Sequence, residues 1–545
     1  MRRQQIIDAP VASLEQRRRK IENAVLPTNI GALLDDAAAC AVSALAWNFF
    51  ESQERATYSE VRRAVNCLAN GLHKRGVRKG TKVAVMLPNV AAMPTTWLAL
   101  ARLGAVMVPV NIAYTPRELE YVVTDSDSTF LVIYDECLTA LDGMARLPSA
   151  LVEENVFVVG GDGARRFQSW DDIARDQSDE LIFTTAVNLD DLINIQYTSG
   201  TTGFPKGCLL SHRYWLLLAK VQGEHDGRTY TRVMAANPFF YMTPQWLLLM
   251  TFYSRGTLFV ARRLSGSRYI SWIREHRIEF CLFPEAAYKQ SAQPNDADNE
   301  IVRVSTYGFP KDEQASLEER FDFVAREAFG MTEIGTALFV PIEATEMTGS
   351  GSCGIPEPFR ECRIADEDGK ALPVGAIGEL LVRGPGVLQG YYKNPEATAR
   401  AFHGNWFRTG DLFRQDERGY FYIVGRVKDM IRRSGENIAA REVEEVVLRI
   451  QGISEAACVP VADARRGEEI KLLVVLQPEV STKELTPAMI LDHCRARLAP
   501  FKVPRYITYA QALPKTASNK VAKGELRASA NLTAGCFDSA RNTWL

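Results

Sequence analysis

Apolar positions recur at helical and then at strand spacing over the first 180 residues. In residues 59–75 (SEVRRAVNCLANGLHKR), Val61, Val65, Leu68 and Leu72 fall on one helical face with arginines opposite, which predicts an amphipathic helix. Residues 82–87 form a short apolar strand that stops at the turn Pro88-Asn89, and residues 95–103 and 105–110 repeat the helix and the strand. Such alternation predicts mainly parallel sheets covered on both faces. Residues 191–197 (DLINIQY) read as a buried strand, and Ser211 as the N-cap of a helix over 212–221. Farther on, Val443, Val446, Val447 and Ile450 share one face of a helix over 440–450. Residues 378–392 (GELLVRGPGVLQGYY) alternate like strands but are broken by glycine and proline, as in a small β-subdomain.

The run Thr198-Ser199-Gly200-Thr201-Thr202-Gly203-Phe204-Pro205-Lys206-Gly207 is too polar and too rich in glycine to continue the strand before it, and it reads as a loop. Glycines at 200, 203 and 207 let backbone N–H groups approach an anion, Ser199, Thr201 and Thr202 offer hydroxyls, and Lys206 supplies a mobile positive charge. These are the parts needed to hold a polyphosphate. The loop is not a Walker motif, because Lys206 is followed by Gly207 and not by a hydroxyl for magnesium.

The loop resembles the phosphate loop of the adenylate-forming superfamily, which includes acyl- and aryl-CoA synthetases, amino-acid adenylation domains and beetle luciferase. The resemblance extends along most of the chain. Residues 305–310 (STYGFP) stand where relatives place backbone beside adenine, which implies contacts from Tyr307, Gly308 and Phe309. Phe329-Gly330-Met331-Thr332-Glu333 resembles the Tyr-Gly-x-Thr-Glu motif. There an aromatic face stacks on adenine, the glycine turns the chain, Thr332 donates to the α-phosphate and Glu333 offers Mg²⁺ a hard oxygen. The resemblance makes Asp411 the acceptor for both ribose hydroxyls, a task suited to two carboxylate oxygens. It further implies that Arg426 reaches the ribose, Lys428 is the hinge and Gly435 lines the pantetheine channel.

Leu513-Pro514-Lys515-Thr516-Ala517-Ser518-Asn519-Lys520 resembles the terminal motif whose lysine drives adenylation. Lys520 fits that register, with Lys515 and Lys523 as the rival lysines. Asn519 replaces the usual glycine and tolerates left-handed backbone. Where relatives carry a histidine beside the reacting carboxylate, this chain has Tyr241, within Asn237-Pro238-Phe239-Phe240-Tyr241. Phe240, Tyr241, Trp246, Tyr307 and Gly308 are the expected substrate pocket, broad and aromatic, suited to a benzoate-like ring or, through cation-π attraction, to a carnitine-like ammonium. An amino-acid adenylation domain would need an aspartate near this stretch, and none occurs between Asn237 and Met250.

The resemblance therefore implies an α/β protein with a large N-terminal domain of parallel-rich sheets and helices plus a small β-subdomain (residues 1–425), and a small mobile α+β C-terminal domain (residues 426–545). The implied activity is formation of an acyl-adenylate from ATP and a carboxylic acid, with Mg²⁺, followed by transfer to coenzyme A. Delivery to a carrier protein and a luciferase-like oxygenase are the alternatives. A homodimer is the expected assembly.

Composition narrows this picture. With 64 Lys+Arg against 66 Asp+Glu the net charge is −2, and no basic stripe argues for nucleic acid. Ten cysteines are scattered without CxxC pairs, so neither zinc nor a disulfide framework is expected, and reduced thiols fit a cytoplasmic enzyme. No apolar run approaches transmembrane length, and neither a signal peptide nor a peroxisomal tail is legible.

Overall fold

The helix predicted over 59–75 spans Tyr58–Lys74 and begins at a reciprocal cap. The Thr57 side chain accepts from the Glu60 N–H, and the Glu60 carboxylate accepts from the Thr57 N–H at 2.7 Å. Val61, Val65, Leu68 and Leu72 are all buried, as the spacing requires. This computed structural model describes residues 2–144, 146–161, 166–198, 205–434, 436–516, 520–528 and 531–545. The expected contacts of Ser199, Gly200, Thr201, Thr202, Gly203 and Gly435, and the substitution at Asn519, lie outside the described residues.

The described residues pack as two units. The first comprises residues 2–198, 206–362 and 382–407, and the second comprises 363–381 and 408–545. The division is expected at 425/426, whereas packing groups 408–425 with the C-terminal residues.

The first unit holds two large sheets. One runs in the order Gln168–Ser169, Val156–Val159, Phe130–Tyr134, Lys82–Met86, Val106–Pro109, Leu192–Thr198, Lys206–Ser211. All neighbours are parallel except the last pair, an antiparallel hairpin in which Thr198 faces Lys206 and Tyr197 faces Gly207. The other has nine strands, from Ile355–Pro356 through Gly335–Phe339, Val324–Met331, Arg303–Thr306, Phe280–Leu282, Arg232–Ala235, Thr257–Val260 and Leu45–Phe49 to Glu54–Thr57, parallel at its centre and antiparallel at both edges. The helix expected from Thr95 starts earlier, at Ala92. Pro94 lies in its first turn, where a missing N–H costs no intrahelical bond.

The second unit is built on a sheet of seven strands. Gly467–Leu476 pairs antiparallel with Ile453–Asp463 and parallel with Tyr506–Tyr509, and a terminal hairpin, Phe537–Asp538 with Thr543–Trp544, extends the edge. The helix Ala440–Leu448 packs Val443 and Val447 into the core of this sheet. No helix of the described residues is long and apolar enough to cross a membrane.

Candidate active site

Two glycines that the sequence assigns to turning the chain are required instead by close packing. Lys206 and Gly207 open the strand Lys206–Ser211, so the loop ends two residues earlier than expected. A Cβ on Gly207 would lie 2.5 Å from Ile195 Cγ2, so the position must be glycine for the hairpin to close. Gly330 lies within the strand Val324–Met331, where a Cβ would sit 2.5 Å from the Gly335 carbonyl. The turn itself falls to Gly335, at φ +66°.

Lys206 likewise stands at a strand end. Its ammonium stands 4.1 Å from the centroid of the Tyr391 ring. The Tyr391 hydroxyl donates to Glu333 Oε1 at 3.0 Å, and Glu333 is buried in the turn between two strands. The neighbouring Thr332 carbonyl accepts from the buried Tyr214 hydroxyl at 2.9 Å. Thr198 Oγ1 donates to the Lys206 carbonyl at 3.4 Å across the hairpin. The structure thus brings together Lys206, Thr198, Thr332 and Glu333 from two sheets. Tyr391 and Tyr214, which the sequence analysis did not single out, hold them.

The segment after the strand Arg303–Thr306 presents Tyr307, which is 40% exposed, and Gly308 at φ +72° with open space where a Cβ would be. The buried carboxylate of Glu327 fixes it, accepting from Gly308 N–H and, at 2.6 Å, from the Thr306 hydroxyl. Phe309 leans onto Tyr288, with ring centroids 5.6 Å apart, and is partly buried against the core. Phe329 and Met331 are only partly buried.

The expected substrate pocket divides. Tyr241 is 37% exposed, stands 4.6 Å from Phe240 between ring centroids, and its hydroxyl accepts from Asn111 Nδ2 at 3.4 Å. Trp246 is instead a core residue, 2% exposed and edge-on to Phe280, because the helix Met242–Ser254 turns it away from the Tyr241 end. Asn89, Gln196 and Gln245 hold the Asn237–Tyr241 turn. Asn89 Nδ2 donates to the Asn237 carbonyl at 3.0 Å and Asn89 Oδ1 accepts from Phe239 N–H at 2.8 Å. Gln196 donates to the Phe240 carbonyl at 2.7 Å, and Gln245 to the Phe239 and Tyr241 carbonyls at 3.0 and 3.2 Å. The two glutamines left no mark on the hydrophobic pattern, though a polar side chain inside a strand or helix core is a signal that could have found them.

In the second unit, the strands Trp406–Gln415 and Phe421–Arg426 put Asp411 opposite Arg426. Arg426 Nε meets Asp411 Oδ1 at 2.8 Å. Burial pushes the Asp411 carboxyl up to about 6, against the pull of Arg426, Lys520 and Lys428. A carboxyl whose folded value lies above its unfolded value of 3.8 disfavours folding once it must ionise, fully so above about pH 6. Asp411→Asn is therefore expected to stabilise the apoprotein at pH 8 by up to about 3 kcal/mol, a gain that disappears by about pH 4. Thermal melts at the two pH values check this, and an equal shift at both contradicts the assignment.

Of the three lysines near the C-terminal motif, Lys515 pairs with Glu455, and Lys523 meets Glu444 at 2.7 Å and Asp429 at 3.8 Å. Lys520 is exposed, at the foot of a loop closed by Thr516. The Thr516 N–H donates to the Lys520 carbonyl at 2.7 Å, and Thr516 Oγ1 accepts from the Lys520 N–H at 3.2 Å. Burial lowers the Lys428 ammonium to about 8.

No three His, Cys, Asp or Glu side chains gather to hold a metal among the described residues. Mg²⁺ bound beside a nucleotide usually takes one or two carboxylates and completes its shell with phosphate and water. Glu333 is a carboxylate of the right chemistry for it.

Residues 34–392 match the family model of the AMP-binding enzyme, and residues 442–520 that of the AMP-binding enzyme C-terminal domain. The chain belongs to the AMP-binding enzyme family. It is 32% identical to a feruloyl-CoA synthase of Amycolatopsis sp., over 86% of this chain and 93% of that one. It is 30% identical to a crotonobetaine/carnitine–CoA ligase of Salmonella paratyphi A, with the same coverage. Among solved structures, ATP-bound MatB from Rhodopseudomonas palustris is similar at a TM-score of 0.81 and 27% identity, over 92% of this chain and 98% of that one. The anthranilate CoA ligase AuaEII, at 24% identity and a TM-score of 0.82 over 93% and 98% of the two chains, shares the fold.

Proposed function

We propose that the chain is an AMP-forming acid–thiol ligase whose acid is an aromatic or a small cationic carboxylate. It activates the acid with ATP and passes the acyl group to coenzyme A, releasing AMP and pyrophosphate. The carboxylate oxygen attacks the α-phosphorus in line as the bond to pyrophosphate breaks. The thiol sulfur then attacks the acyl carbon, the carbon–oxygen bond to AMP breaks, and the thiol proton passes to solvent. Catalysis of the first step rests on positioning and on neutralising developing charge.

Lys206 holds the β- and γ-phosphates with the hydroxyls of residues 198–202. Thr332 donates to the α-phosphate, and Glu333 with the nucleotide phosphates holds Mg²⁺, which when bound offsets phosphate charge. Asp411 and Arg426 hold the ribose, Phe329 and the backbone of 307–309 flank the adenine, and Gly435 lines the pantetheine path. Lys520 brings its ammonium to the carboxylate and the α-phosphate, and the residues beyond 425 turn about Lys428 between the two steps.

The observation that carries this reading is the exposure of Lys520 at the C-terminal motif, whose rivals Lys515 and Lys523 are tied in ion pairs. The half-exposed rings of Tyr241 and Tyr307 favour a planar ring or a quaternary ammonium over a long alkyl chain, and relatives named for ferulate and for carnitine agree with that preference. A reducing, cytoplasmic compartment and a homodimeric assembly are the readings we favour.

Exchange of labelled pyrophosphate into ATP, run across benzoates, hydroxycinnamates, quaternary-ammonium acids and fatty acids, tests the reading. Exchange with an aryl or ammonium acid is expected. Exchange confined to long-chain fatty acids overturns the substrate class, and exchange with no acid overturns the activity. Coenzyme A and pantetheinylated carrier proteins, offered as acceptors, identify the thiol.

A further inference from the structure

The segment Leu388–Tyr392 connects the two halves of the phosphate side of the site through its backbone. Leu388 N–H donates to the Glu333 carbonyl at 2.8 Å, Gln389 N–H to the Leu209 carbonyl at 2.9 Å, Leu209 N–H to the Gly390 carbonyl at 2.9 Å and Tyr392 N–H to the Gly207 carbonyl at 2.8 Å. Tyr391 N–H is held in turn by Thr398 Oγ1 at 2.9 Å. With the backbone fixed on both sides, the buried Tyr391 side chain has little freedom. It lies with its ring against the Lys206 ammonium and its hydroxyl on Glu333.

We propose that Tyr391 is a positioning residue that couples the phosphate lysine, Lys206, to the magnesium carboxylate, Glu333. This rests on the reading of those two residues given above. A lysine that must meet an anion needs a partner that restrains it without neutralising it. A carboxylate would compete with phosphate for the ammonium, whereas an aromatic face attracts the cation through its quadrupole and leaves N–H donors for the ligand. The phenol hydrogen bond occupies one acceptor site of Glu333 and, with the buried Cys208 thiol beside it, orients the carboxylate toward a cation. Ring and hydroxyl therefore do separate jobs, and two substitutions can tell them apart.

Tyr391→Phe keeps the ring and removes the hydroxyl. It is expected to raise the Mg²⁺ concentration for half-maximal pyrophosphate exchange about tenfold, the low end for loss of a partner to a metal ligand. The exchange rate at saturating Mg²⁺ stays within about twofold, and ATP binding measured in EDTA by calorimetry is unchanged. Tyr391→Leu removes both groups and weakens metal-free ATP binding about fivefold more than Tyr391→Phe, in line with loss of a partly desolvated cation-π contact. In a Lys206→Met background the two variants bind metal-free ATP alike.

A wild-type Mg²⁺ response in Tyr391→Phe, or equal metal-free ATP affinity in the Phe and Leu variants, overturns the proposal. Melting temperature serves as the control for folding, and the isosteric Phe variant keeps the hydroxyl arm readable if the Leu variant is unstable. Glu333→Gln separates the two levels of inference. If it leaves the Mg²⁺ response untouched, the magnesium reading of Glu333 has failed. If it shifts the response and Tyr391→Phe does not, only the role of Tyr391 has failed.

Discussion

Lys520→Ala is expected to slow acyl-adenylate formation by about 10²–10³-fold, while thioester formation from a supplied acyl-adenylate stays within a few-fold of wild type. The magnitude is that of removing one preorganised donor from a developing negative charge. Selectivity between the half-reactions follows from the chemistry. The first step brings an anionic carboxylate against an anionic phosphate and needs an ammonium between them, whereas the second starts from a neutral acyl carbon. Stability is spared, since the Lys520 side chain is exposed and its loop is closed by backbone and hydroxyl bonds of Thr516. Pyrophosphate exchange reads the first step, and release of AMP from a synthetic adenylate plus coenzyme A reads the second. Lys515→Ala and Lys523→Ala serve as comparisons, and a loss as large from either would move the role to that lysine.

Lys428→Pro is expected to show the opposite pattern, with adenylation within a few-fold of wild type and thioester formation reduced at least about 10²-fold, the loss expected when reacting groups are misplaced. Residues Val427–Asp429 form a single 3₁₀ turn between two strands. Proline holds φ near −65° and disfavours helical backbone at Val427 before it, so a rotation that needs new dihedrals at 428 is blocked. The segment after residue 428 is expected to move with the lysine motif, because Asp429 pairs with Arg527 and Lys523, and Lys523 with Glu444. Changing one backbone position therefore changes where Lys520 can go. The same two assays decide the matter. An equal loss in both half-reactions would show a damaged fold or a residue that is not a hinge.

Lys520, Lys428 and Asp411 could all be singled out in the chain. Asp411 and Lys520 stand in short polar motifs with little packing to disguise them, and the structure adds their surroundings. For Asp411 the addition is chemical, because burial opposite Arg426 holds its carboxyl near 6, a property no spacing of residues reveals. For Lys520 it is comparative, because the rival lysines are distinguished only by the carboxylates that fold beside them. Trp246, expected in the substrate pocket, packs in the core instead, and the side chain of Phe309 leans on Tyr288. An aromatic residue near a site is as apt to fill the core as the pocket, and the direction of the side chain is set by the helix or turn that carries it.

What the sequence determined by itself was periodic or local: the alternation of helix and strand, the buried faces of Tyr58–Lys74 and Ala440–Leu448, the cap at Ser211 and the order of the short polar motifs along the chain. These depend on neighbours within a few residues, where backbone geometry and side-chain type suffice. What only the tertiary structure decided was contact between distant segments. Tyr391 lies 185 positions from Lys206 and 58 from Glu333, yet touches both. Glu327 fixes Gly308, and Gly207 and Gly330 are required by the strand packed against each of them. Long-range packing of this kind leaves no periodic trace in the chain, because a partner's identity depends on which strands become neighbours in a sheet.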